Sequence, residues 1–179
     1  NITGKKKNSK YNVLYVIDTK HLCRKMSRVR FWAIEELGQK VNLTLTGPGF
    51  LNFNINYSLQ QNILNLNQNF DLIIWYKPLD YNFDKKIKLP FKTCLRYNEM
   101  WDEEWTNHEI KETMSDIIIC HHQNDYNKYV KLYKNNTLHQ FFYIPHFANP
   151  SVFKNLNSER TIDILLSGVV KQKHYPLKY

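Results

Sequence analysis

Several clusters of polar side chains stand just after apolar runs, and each could do chemistry. Asp18, His21, Arg24, Lys25 and Arg28 follow the run Asn12–Asp18. Such a basic group reads either as a solvated loop or as a cleft wall that attracts an anionic donor or acceptor. Asn98-Glu-Met-Trp-Asp-Glu-Glu-Trp105 follows the run Lys92–Tyr97. A carboxylate there could take a proton from a hydroxyl group, and Trp101 and Trp105 could stack on a sugar ring. Asp102–Glu104 fit equally well as the acidic start of a helix, where negative charge complements the helix dipole. Glu99 lies nearer the end of the run and is the better chemical candidate. His121 and His122 follow Asp116–Cys120. They read as polar residues starting a helix, as contacts to substrate or phosphate, or least readily as metal ligands, since no further ligands stand at suitable spacing.

Absent motifs narrow the chemistry. The chain has no GxGxxG fingerprint, phosphate-binding P-loop, GxSxG elbow or HExxH, which removes most support for dinucleotide-dependent, NTPase, hydrolase and zinc-protease readings. Cys23, Cys94 and Cys120 form no CxxC or Cys/His pattern. An odd number of scattered cysteines fits free thiols and a cytoplasmic or other reducing compartment. The sequons at Asn1, Asn42, Asn56 and Asn135 are expected by chance in so Asn-rich a chain. A formal charge of +9 would suit nucleic acid, an anionic membrane or a phosphorylated ligand. Part of it sits in Lys5, Lys6, Lys7 and Lys10, which read as a tail, and no nucleic-acid-binding signature accompanies it.

The elements that must position these clusters follow from apolar patterning. Strands are expected at 12–18, 41–46, 70–76, 92–97, 116–120, 140–144 and 161–166, rich in β-branched and aromatic residues. Between them, helices are expected at Arg28–Gln39 with Ser27 as N-cap and Gly38 near its end, and at 58–66 with Ser58 as cap. Further helices are expected at 106–114 and 125–133, with Thr19–Met26 as loop and Gly47-Pro48-Gly49 as a turn. No run is long enough to span a bilayer as a helix. Continuous apolar strands alternating with helices predict an α/β, Rossmann-like parallel sheet with helices on both faces. Its ligands would sit beyond the carboxyl ends of the strands. His21, Arg24, Glu99, His121 and His146 all follow strands, so they are expected to approach one cleft.

The final third carries a resemblance. Tyr143-Ile-Pro-His146-Phe-Ala-Asn-Pro150-Ser-Val-Phe153-Lys resembles the segment that closes the first domain of many GT-B glycosyltransferases. Arg160-Thr-Ile-Asp-Ile-Leu-Leu-Ser-Gly168 is similar to the first strand of their second domain. His174-Tyr-Pro-Leu-Lys178 resembles a Tyr-Pro-Leu-Arg stretch of the spore-coat glycosyltransferase-like group, and Ser115–Cys120 fits an Ala-Asp-x-Val strand. The chain departs from the pattern in lacking glycines after the first strand and in carrying Asn98-Glu99 where many retaining relatives have His-Asp.

The resemblance implies the acceptor-side half of an enzyme that moves a sugar from a nucleotide-sugar donor to a sugar, protein or lipid acceptor, with no metal and no cofactor beyond that co-substrate. With a basic tail read at 1–10 and a linker at 157–160, it implies an acceptor-side domain at 11–156 and the start of a donor-binding domain at 161–179. The isolated chain is expected to be inactive. Glu99 becomes the candidate base, with His21 as competitor. Arg24, His121, His146, Gly168, Lys171 and Lys173 become candidate substrate or donor contacts, the two lysines against the donor phosphates. The alternative is a non-catalytic Rossmann-like binding or scaffold module.

Overall fold

The computed structural model describes residues 10–23, 28–96, 100 and 102–146. These fall within one compact unit, Asn1–Asn149. The expected linker at 157–160 and strand at 161–166 lie outside the described residues.

Six short strands build the sheet: β1 (Asn12–Val16), β2 (Asn42–Thr46), β3 (Leu72–Trp75), β4 (Thr93–Arg96), β5 (Ile117–Cys120) and β6 (Gln140–Tyr143). Every pairing is parallel, in the order β2-β1-β3-β4-β5-β6. The chain leaves β1 toward one side to make β2, then returns past β1 to make β3. The topological switch point therefore lies between β1 and β3, where sheets of this order carry their ligands.

Strand alternation sorts side chains between two cores. Leu14 and Val16 of β1 join Leu59, Ile63, Ile110 and Tyr129 on one face, whereas Val13, Tyr15 and Ile17 join Ile34 on the other, with Leu37 packed against them. The first face is covered by α3 (Leu59–Asn65), α4 (Glu103–Thr113) and α5 (Gln123–Leu132), and the second by α2 (Arg28–Lys40). Right-handed crossovers require this division once the strand order reverses direction at β1. Each wholly buried Leu or Ile contributes about 1.5–3 kcal/mol, so the two cores hold the sheet from both sides.

Helix starts follow local chemistry. Ser58 caps α3 with a full capping box: its hydroxyl accepts from Gln61 N, and the Gln61 side chain accepts from Ser58 N. Asp102 caps α4 by accepting from Trp105 N. The acidic stretch 102–104 is therefore a helix start, and α4 begins three residues earlier than the apolar spacing suggests. Two further expectations are corrected. Thr19–Cys23 is a short helix, α1, rather than loop. Gly38 lies inside α2 and is buried, so it does not end the helix. Ser27 lies outside the described residues.

The turn after β2 is seated against β1. Ile17 N donates to Thr46 O, and Thr19 N donates to Pro48 O. Gly47 has φ +139°, and a Cβ there would stand 2.3 Å from the Ile17 carbonyl oxygen. Only glycine fits.

Candidate functional site at the carboxyl edge of the sheet

The ends of β1, β4, β5 and β6 are tied together by one polar chain. Arg96 is the last residue of β4, and its side chain is buried on the same face as Tyr15. Its Nη1 donates to the Tyr15 hydroxyl at 2.8 Å, and its Nε donates to His121 Nε2 at 3.0 Å. His121 Nδ1 lies 2.5 Å from the Ile144 carbonyl oxygen. Guanidinium can only donate, so His121 Nε2 must be an acceptor, and the ring proton sits on Nδ1, which donates to Ile144. The partners thus fix His121 as one neutral tautomer. Burial first, then the Arg96 charge and the neighbouring His146 and His122, lower its pKa to about 4 against the pull of the Ile144 bond.

Arg96 is the unusual member. Among the described residues it makes no ion pair, and its two bonds go to neutral groups. Three of its five N–H donors are left over from those bonds. An anion at this edge would be stabilised by the guanidinium through charge-assisted hydrogen bonds.

Two further histidines complete the corner. His146 stacks on His121 with ring centroids 4.6 Å apart and planes 21° apart, and meets the edge of His122 at 5.3 Å. His122 is the N-cap position of α5 without a side-chain capping bond. Among the described residues no three His, Cys, Asp or Glu side chains are placed to hold a metal ion. His121 illustrates the reason, because both of its ring nitrogens are already engaged.

The other half of the edge lies at the switch point. Asp18 follows β1, accepts from Lys20 N at 2.8 Å and pairs with Lys20 Nζ at 2.8 Å. Burial pushes its carboxyl pKa up, but the bonds from Lys20 and the nearby His21 outweigh that and hold it below the ordinary value. His21, in α1, packs its ring edgewise against Tyr76 at 5.6 Å. The Tyr81 phenol is pushed well above its ordinary pKa by burial and by the Asp18 charge, so it stays a protonated donor.

Of the expected site residues, the structure brings His121 and His146 into direct ring contact and places His21 beside Tyr76. Arg24, Glu99, Gly168, Lys171 and Lys173 lie outside the described residues. Arg96 and Tyr15 were not singled out in the sequence. The available signal was a lone arginine ending the apolar strand Thr93-Cys-Leu-Arg96, where a charge destined for burial demands a partner.

No family model matches the chain, and no curated protein or solved structure matches it. No described helix is long and apolar enough to cross a membrane.

Proposed function

We propose that this chain is the acceptor-side half of a nucleotide-sugar-dependent glycosyltransferase, and that Arg96, oriented by Tyr15 and His121 and with His146 beside it, meets the anionic part of the donor. The observation that carries the proposal is the buried Arg96, held at the carboxyl edge by two neutral partners and facing no acid among the described residues. A fixed guanidinium gives a diphosphate bidentate, charge-assisted bonds. It also stabilises negative charge that develops on a leaving phosphate without reorganising. The tie to Tyr15 and His121 keeps the fork in one orientation. The motif resemblance supplies the reaction class, and the parallel sheet with its switch point is compatible with it.

On this reading Glu99 is the acceptor-side base, His21 its competitor, and Lys171 and Lys173 the donor-phosphate contacts. Calorimetric titration of the natural full-length protein with nucleoside diphosphate sugars tests the assignment. Saturable binding is expected for one donor. Glu99→Gln should keep that affinity while lowering turnover by about a hundredfold, the usual contribution of a general base. Near-normal turnover in Glu99→Gln would move the base to His21.

A further inference from the structure

A cavity opens at the end of the sheet opposite the Arg96–His121 corner. It has a volume of about 350 Å³ and lies beside the starts of β4, β5 and β6, marked by Thr93, Asp116 and Leu138. That size is at the lower end of small-molecule sites. Trp75, Phe83 and Phe91 line it. The Trp75 indole is fixed, because Nε1 donates to Ser115 Oγ at 2.9 Å and Phe83 packs edgewise on the ring at 5.8 Å.

The cavity wall is built in advance. Residues 81–92, which form this wall, contain no helix or strand. It is pinned by Asp84 N donating to Gln60 Oε1 at 2.9 Å, by Leu59 N donating to Asn82 O at 2.7 Å and by Ile87 N donating to Asp84 O at 3.1 Å. Gln60 is itself buried.

Charge gives the ligand its sign. Lys85 pairs with Glu112 at 2.8 Å. The Asp116 carboxylate accepts from Thr93 N and Oγ1 at 2.8 and 3.1 Å and lies 3.5 Å from Lys92 Nζ. Both acids at the cavity are thus satisfied, whereas Lys88, which also lines it, makes no ion pair among the described residues. The geometry points to a second binding site here, for a small aromatic carboxylate whose ring lies among Trp75, Phe83 and Phe91 and whose charge meets Lys88. The site is separate from the carboxyl edge and does not depend on the transferase reading.

The test uses indole-3-carboxylate and its uncharged analogue indole-3-carboxamide against the 179-residue chain, followed by methyl NMR shifts of Ile87 and Leu138. The acid should bind saturably, shift both residues and bind more tightly than the amide. Lys88→Gln should weaken the acid about threefold, the size expected of an exposed charge contact, and leave the amide unchanged. Leu138→Glu, at a rim position 65% exposed where folding is not at stake, should weaken the acid more than the amide. Arg96→Gln should change neither. Absence of saturable binding at millimolar concentration, shifts away from Ile87 and Leu138, or equal loss of acid and amide in Lys88→Gln would each overturn the proposal.

Discussion

Acid should unlock the Arg96–His121 corner before it unfolds the rest of the domain. The folded state holds His121 neutral with a pKa of about 4, whereas an unfolded histidine titrates near 6.5. Between those values the unfolded chain binds a proton that the folded chain refuses. Stability contributed by the neutral ring is therefore complete above about pH 6.5 and is lost as pH falls toward 4. The fall from 6.5 to about 4, at about 1.4 kcal/mol per pH unit, caps the loss at about 3 kcal/mol; partial entry of water would bring it nearer 2. Arg96 is the reason the ring cannot simply charge in place, since protonated Nε2 would have to face a donating guanidinium. The other titratable groups nearby are His146, stacked on the ring, and His122, which meets His146, so the comparison should be made with a single substitution. His121→Gln can accept from Arg96 and donate to Ile144 without titrating. Urea unfolding of both proteins at pH 7.0, 5.5 and 4.5 should give similar stability at pH 7.0. The wild type should then lose about 2 kcal/mol more than the variant by pH 4.5. Parallel losses in the two proteins would refute the tautomer assignment and the network built on it.

Two shorter predictions bear on the frame. Gly47→Ala should cost about 2 kcal/mol or more in urea unfolding, because the new Cβ meets the Ile17 carbonyl at 2.3 Å in a backbone conformation that side chains rarely adopt; unchanged stability would mean that the turn is not seated on β1. Cys94 and Cys120 are buried, and burial raises both thiols to about 12. A thiol reagent should therefore label them only at the rate of unfolding, and rapid labelling of either by peptide mapping would contradict their placement.

Much of the frame was legible in the residues. The runs that become β1, β3 and β5 are rich in β-branched and aromatic residues, and their apolar continuity signals burial, whereas β2 alternates Leu43 and Leu45 with Asn42, Thr44 and Thr46 and the edge strand β6 stays largely exposed. Ser58 was legible as the cap of α3, whereas the Gln61 that closes the box was not singled out. Thr19–Cys23 was not legible, because five residues are too few to show helical periodicity. Gly38 misled because glycine is a poor helix former, yet here a buried position on the sheet-facing side of α2 suits a residue without a side chain. The site was harder still. Arg96 joins Tyr15 across 81 residues of sequence and His121 across 25. Such a contact depends on β3 separating β1 from β4 in the sheet, which strand order decides and local patterning does not. His121 and His146 were legible as strand-end residues; the stacking of one on the other was not.

The transferase reading is tested most directly by turnover. The natural full-length protein should be offered a panel of nucleoside diphosphate sugars, and release of the nucleoside diphosphate measured for wild type and Arg96→Gln. One donor should be consumed. Arg96→Gln should lower kcat/KM about tenfold to a hundredfold, as expected for loss of a charge-assisted contact worth about 1.5–3 kcal/mol, while a circular dichroism spectrum shows the fold intact. A folded Arg96→Gln protein that turns over its donor at the wild-type rate, or a wild type that consumes no donor in the panel, would contradict the account.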